Sequence, residues 1–207
     1  MSAASRIAES LLKEKAVFLR PEEPFTWASG IKSPIYCDNR LLISRPDVRR
    51  FITDCFKDMV LKEDLRPDVI AGTATAGIPW AAWLAEALNL PMVYVRSSAK
   101  DHGRKNLIEG QVTPGARTLL VEDLISTGKS SLAAVDALEA ENMKVLAVVG
   151  LFHYNFPQAH EVFLKRQVRA LPLCTLDDML TWAVQQGSLR PAQAEDIKSW
   201  RQNVVFP

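Results

Sequence analysis

Glu122 and Asp123 are adjacent carboxylates, and Leu124-Ile125-Ser126-Thr127-Gly128-Lys129-Ser130 after them is a turn of hydroxyls and glycine. The run Arg117-Thr118-Leu119-Leu120-Val121 before the acids is apolar and bounded by turn formers, as a buried parallel strand is. A helical stretch begins near Ser130. Strand, acid pair, hydroxyl-and-glycine loop and helix start, in that order, form a cradle for a sugar phosphate. Backbone N–H groups of the loop and helix start hold the phosphate, and the acids reach ribose hydroxyls.

Gly128-Lys129-Ser130 also reads as the end of a nucleotide-binding P-loop. That motif requires glycine five residues before its second glycine, where this chain has Asp123. A carboxylate there would aim negative charge at a polyphosphate. From this segment alone an ordinary strand-to-helix turn with a serine N-cap stays open.

Two further loops carry chemistry. Ala71-Gly72-Thr73-Ala74-Thr75-Ala76-Gly77-Ile78-Pro79 is small and glycine-rich. It lets a backbone approach an anion closely at a helix start, or simply makes a tight turn. Paired with the 122–130 loop it predicts a pyrophosphate site. Residues 96–114 are too polar to pack and too long for an ordinary connection. Arg96, Lys100, His102, Arg104 and Lys105 face only Asp101 until Glu109, a pattern suited either to a solvated loop or to a lid over a diphosphate.

The elements that must position these loops alternate. Strands are expected at 69–71, 92–95, 118–121 and 145–152, and helices at 77–88 and 130–141, which predicts right-handed βαβ units and a parallel sheet. The ligand crevice should open at the C-terminal strand ends. Pro46 opens a helix carrying Val48, Phe51, Ile52, Cys55, Phe56 and Met59 inward. Earlier, a helix is expected over roughly 3–15, and short extended pieces over 25–37. The tail adds a strand at 168–173, a helix at 175–186 and a last helix from Pro191 toward Trp200.

A chain of 207 residues fits one domain, with an α/β core over about 46–173. Residues 1–45 and parts of the tail are expected to form a small lobe over the site. A net charge of +1 gives no electrostatic case for nucleic acid or a membrane surface. Cys37, Cys55 and Cys174 have neither metal-ligand nor disulfide spacing, which fits a reducing cytoplasm. No apolar signal-peptide core or membrane-length run is present in the sequence.

The 122–130 segment closely resembles the phosphoribosyl-pyrophosphate motif of type I phosphoribosyltransferases. Phe25-Thr26-Trp27-Ala28-Ser29-Gly30, then Lys32-Ser33-Pro34-Ile35-Tyr36-Cys37-Asp38-Asn39-Arg40, resembles the N-terminal signature of the orotate phosphoribosyltransferase family. The order R-x-x-x-K-D-H-G at Arg96 to Gly103 is similar to that family's lid. The resemblance spans about residues 16–133 and implies the type I phosphoribosyltransferase fold, a mainly parallel sheet flanked by helices with a hood lobe. It implies a pentosyltransferase of pyrimidine (UMP) synthesis, moving phosphoribosyl from phosphoribosyl pyrophosphate to N1 of orotate.

By resemblance, Arg96, Lys100 and His102 contact the diphosphate. Glu122 and Asp123 hold the ribose 2- and 3-hydroxyls, Ser126 to Ser130 form the 5-phosphate turn, and Leu124 and Ile125 before it also bind phosphoribosyl pyrophosphate. Thr75 and Ala76 lie in the pyrophosphate loop, where a non-proline cis peptide is expected between Thr73 and Thr75. Ser126, Tyr36 and Cys37 flank orotate. Lys100, His102 and Asp123 are the catalytic candidates. Mg²⁺ is expected through ligand and water with no direct protein ligand, and a homodimer is expected to share lids between subunits. A purine-base phosphoribosyltransferase and a phosphoribosyl-pyrophosphate-sensing regulator are the rival readings.

The chain departs from the enterobacterial pattern. Ala28 and Ser97 stand where lysines are expected, Thr75-Ala76 replaces a tyrosine–lysine pair, and His153-Tyr154-Asn155 has no arginine for orotate. The orotate carboxylate is thereby left without an evident partner, and Lys32 or Arg40 is the expected substitute. His153 and His160 lie in no motif and read as structural or surface residues.

Overall fold

The structure, a computed structural model, describes residues 1–98 and 107–206. Helix α1 (Ala3–Lys13) starts where the Ser2 hydroxyl accepts from Ser5 N–H, and it buries Ile7, Ala8 and Leu11. Strands β1 (Val17–Leu19), β2 (Phe25–Thr26), β3 (Lys32–Ser33) and β4 (Ile35–Cys37) follow. β1 pairs with β4, and β2 with β3, as two small antiparallel sheets. A 3-10 helix (Asn39–Ser44) leads into α2 (Pro46–Lys62), which has proline in its first turn.

The core then alternates through β5 (Val69–Thr73), α3 (Gly77–Leu88), β6 (Met92–Val95), β7 (Ile108–Glu109), β8 (Arg117–Ile125), α4 (Lys129–Ala140) and β9 (Lys144–His153). It continues with α5 (Pro157–Arg166), β10 (Ala170–Thr175), α6 (Leu176–Gln185) and α7 (Pro191–Asn203). The six-stranded sheet has the order β10-β9-β8-β5-β6-β7. All neighbours are parallel except β7, which runs antiparallel to β6. The sheet is therefore mainly parallel, as the resemblance implied.

Period-2 geometry divides β8 between two cores. Leu119 and Val121 pack with Ile70, Phe56, Trp80 and Met179, while Leu120 packs with Ala71, Val135, Leu138 and Phe163 on the opposite face. A strand buried on both faces reads as a continuous apolar run. β8 and β5 lie at the centre, and the chain leaves β5 toward β6 but returns from β8 toward β9. Their C-terminal ends thus meet at the point where strand order reverses, where ligands bind in open α/β sheets.

Some elements differ from the expectation. β8 runs through the acid pair to Ile125 instead of ending at Val121, because residues 124 and 125 still pair with Phe152 and His153 of β9. Helix α5, strands β1 and β7 and the 3-10 helix had no expected counterpart, and the strand placed at 168–173 lies at 170–175. Among the described residues no helix is long and apolar enough to cross a membrane.

Candidate functional site

The two acids near the end of β8 differ in exposure, Glu122 being buried and Asp123 half-buried. Glu122 is 5% exposed, and its Oε2 accepts from the Ser131 hydroxyl of α4 at 3.1 Å. Burial, then the charge of Asp123, pushes its carboxyl up to about 8, against the lowering effect of the Ser131 hydroxyl. Asp123 is raised by burial, opposed by hydrogen bonds from Glu122 and from backbone N–H groups and by the Arg40 charge. Two carboxyl groups sharing one partly desolvated site resist double ionisation.

The turn after them is shaped by Gly128, which has φ +83 and stands at the N-terminus of α4. An added Cβ there would lie 2.9 Å from Phe163 Cε2 of α5, so both backbone and space call for glycine. Lys129 and Ser130 are exposed in the first turn of α4, and Ser126 and Thr127 are half-buried. Ile125 differs from its neighbours: its side chain is buried against Gly150, leaving only its backbone to face the loop. Leu124 is half-buried beside Ser126.

The 71–79 loop is held just as tightly. A Cβ at Gly77 would stand 2.6 Å from the Val121 carbonyl oxygen, so glycine lets α3 begin directly against β8. The Ala74–Thr75 peptide is cis, where the resemblance implied one. Thr75 is exposed and Ala76 precedes the first turn of α3. Thr73 is buried beside Glu122, and its hydroxyl acts with that of Ser131 to lower the Glu122 carboxyl.

Two cavities flank the 126–130 turn. One, of about 240 Å³, is lined by Thr73, Ala74, Arg96, Ser97, Ser130 and neighbouring apolar residues. Arg96 reaches Glu109 at 3.6 Å from the end of β6, and its backbone N–H donates to Leu107 O at 2.8 Å. Lys100, His102, Arg104 and Lys105 lie outside the described residues. The second cavity, of about 300 Å³, is lined by Thr26, Trp27, Ala28, Tyr36, Cys37, Leu124, Ser126 and Tyr154. That volume suits a single planar ring.

The structure brings Tyr36, Cys37 and Ser126 together on this second wall. Cys37 Sγ donates to Asn39 Oδ1 at 3.2 Å, and Asn39 Nδ2 donates to the Asp123 carbonyl at 2.7 Å. Burial, with Asp123 and Asp38 adding, pushes the Cys37 thiol far up, so it stays a neutral thiol and no nucleophile. Lys32 is exposed at the rim, its Nζ donating to Thr26 Oγ1 at 2.6 Å. Arg40 is held bidentately by Asp38 at 2.7 and 2.9 Å, and its charge also acts on Tyr36 and Asp123.

Sequence reasoning assigned no role to Trp27, Asn39, Ser131 or Tyr154. Asn39 and Trp27 stood inside the N-terminal signature, which was a signal. Nothing in the local pattern marked Ser131 or Tyr154. His153 is buried and lowered to about 4, first by burial and then by His160, with Nδ1 accepting from Asn155 N–H at 2.6 Å. It is buried at the end of β9 with its ring beside His160.

Comparison with known proteins places this arrangement. Residues 41–171 match the phosphoribosyl transferase domain family. The chain is similar to the orotate phosphoribosyltransferase of Listeria innocua serovar 6a, with 46% identity over 203 residues, 98% of this chain and 97% of that one. The orotate phosphoribosyltransferase of Bacillus subtilis is 48% identical over 197 residues, covering 95% of this chain and 91% of that one. Among solved structures, orotate phosphoribosyltransferase from Aeropyrum pernix superposes with a TM-score of 0.76 at 29% identity, covering 88% of this chain and 99% of that one.

Proposed function

The chain belongs to the phosphoribosyl transferase domain family and, within it, to the orotate phosphoribosyltransferases, and from that premise we propose how its residues divide the reaction. It transfers the phosphoribosyl group of phosphoribosyl pyrophosphate to N1 of orotate, giving orotidine 5-monophosphate and pyrophosphate in pyrimidine synthesis. The observation that carries the division of labour is the turn after the acid pair, with a ring-sized cavity at Ser126 and the cavity holding Arg96 at Ser130.

Breaking the C1–O bond puts positive charge on the ribose and negative charge on the departing pyrophosphate. Carboxylates belong by the first and cations by the second. Asp123 is the acid that faces the ribose hydroxyls, with Glu122 behind it tied to Ser131. N–H groups of the Ser126-Thr127-Gly128-Lys129-Ser130 turn and of the α4 start hold the 5-phosphate. The Thr75-Ala76 loop at the start of α3 takes the pyrophosphate together with Arg96. Lys100 and His102 complete the cationic side and assist proton removal from orotate N1 or pyrophosphate departure. Tyr36, Cys37 and Ser126 flank the pyrimidine, with Lys32 at the rim.

Mg²⁺ fits these donors. Mg²⁺ favours phosphate oxygens and water over an all-protein cage. Asp123, backed by Glu122, is the carboxylate able to meet such an ion through water. When bound, the ion neutralises charge on the diphosphate. A single domain spanning 1–207, with residues 1–45 and part of the tail as a hood, a cytoplasmic setting, and a homodimer with shared lids complete the proposal.

The deciding assay mixes the protein with orotate, phosphoribosyl pyrophosphate and Mg²⁺ and follows loss of orotate absorbance. Turnover with orotate, and none with adenine, hypoxanthine or uracil, is expected. No change with folded protein would sink the assignment. Lys100→Ala is expected to lower kcat much more than it weakens phosphoribosyl-pyrophosphate binding, and equal losses in both would contradict a transition-state role.

A further inference from the structure

Orotate carries a carboxylate, yet none of the residues lining the ring-sized cavity is charged. Lys32 sits at the rim on Thr26, and Arg40 is engaged by Asp38. Inside the cavity itself the donors are neutral. Its hydroxyl-bearing residues are Thr26, Tyr36, Ser126 and Tyr154.

Tyr154 differs from the other three. It is 3% exposed, whereas Tyr36 is 41% exposed. Its ring is stacked on Phe156 at 5.1 Å and lies 5.5 Å from Phe152 and 5.8 Å from Trp27. Its backbone N–H donates to Ile125 O at 3.1 Å, which fixes it beside Ser126. Among the described residues no hydrogen bond holds the phenol, and its electrostatic neighbours are Cys37 and Tyr36, both on the cavity wall. The side chain is clamped while its hydroxyl stays unspent.

We propose that Tyr154 determines specificity for the acidic base, its hydroxyl donating a hydrogen bond to the orotate carboxylate. The proposal rests on the orotate reading and deepens it. A phenol is a stronger donor to an anion than the alcohols of Ser126 and Thr26. A hydrogen bond to a charged acceptor in a dry pocket is worth more than the same bond in water. Burial raises the phenol further above its ordinary value, so it remains a protonated donor at every pH at which the enzyme works. Because the ring is already fixed by three aromatic neighbours, binding costs little rotamer entropy. A neutral donor also avoids burying a cation that would stand unpaired whenever orotate is absent.

Tyr154→Phe keeps the ring contacts and removes only the hydroxyl. Steady-state kinetics should show the orotate KM raised about tenfold to a hundredfold, the scale of a lost charge-assisted hydrogen bond. The phosphoribosyl-pyrophosphate KM and the thermal midpoint should stay close to wild type. Inhibition by uracil, which lacks the carboxylate, should not weaken. An unchanged orotate KM overturns the proposal. A parallel weakening of orotate and uracil moves the donor to a ring carbonyl and overturns it equally. If uracil inhibits neither protein, the orotate KM alone decides. Wild-type protein inactive on orotate would instead defeat the underlying assignment, so the two failures are distinguishable.

Discussion

Side by side on one strand, Glu122 and Asp123 do not have equal chemistry. Glu122 turns into the protein and is engaged by Ser131, so its raised carboxyl is a cost of placement. In the folded protein it keeps a proton where the unfolded chain has lost one. Between its ordinary value of 4.5 and about 8 the native state binds more protons, so stability should fall as pH rises through that window. Glu122→Gln should flatten this dependence when thermal midpoints are measured from pH 5 to pH 9. A slope as steep as wild type in that variant would move the cause elsewhere. Asp123→Asn should instead lower kcat about a hundredfold or more with little effect on the midpoint, since it removes charge at the developing cation. Equal kinetic losses for the two variants would contradict the division between a facing and a supporting acid.

At the level of elements, the site depends on how closely α3 approaches β8 and on how the N-terminal segment is tied to the same strand. A Cβ at Gly77 would press on the Val121 carbonyl just before the acid pair. Gly77→Ala should cost about 1–3 kcal/mol in denaturant unfolding, as overpacking does, and should weaken phosphoribosyl-pyrophosphate binding more than orotate binding. Asn39 is 1% exposed and bridges Cys37 to the Asp123 carbonyl. Asn39→Ala removes that bridge from a buried site, so a stability loss of about 1–3 kcal/mol is expected. It should be accompanied by a fall in kcat, and a stable, fully active variant would show that the bridge does not position Asp123.

These same elements show what a sequence can and cannot tell. Helix α3 and strand β6 fall where periodicity and turn residues put them, because each carries a long apolar signal between clear breakers. β1 spans only Val17–Leu19 and β7 only Ile108–Glu109, too short for alternation to register. Helix α5 buries little more than Ala159 and Phe163, so its apolar face is narrow and tertiary contact with Gly128 decides it. Within the site, the acid pair and its turn are contiguous and were legible. Tyr154 and Ser131 were not, because their significance lies in which wall they share with residues far away in the chain.

Considered as a whole molecule, the chain brings together on its own the acid pair, the turns after β5 and β8, a ring-sized cavity and Arg96. What the proposal assigns to a second subunit is the lid carrying Lys100 and His102. That assignment has a consequence no single-subunit enzyme shares. Lys100→Ala spoils a lid but leaves its own acid pair intact, whereas Asp123→Asn spoils an acid pair but leaves its lid intact. If lids act across the dimer, a mixed dimer contains one site with a sound acid pair covered by a sound lid. Random reassortment makes half of the dimers mixed, with one of two sites working in each, so mixing two nearly inactive proteins should restore about a quarter of wild-type kcat. If each lid closes over its own subunit, both sites of the mixed dimer stay damaged and no activity returns. The control is to purify the mixed dimer through different affinity tags on the two variants and confirm its composition. Inactive mixed dimers would then refute lid sharing, while the roles of Asp123 and Lys100 would each be judged by the single variants.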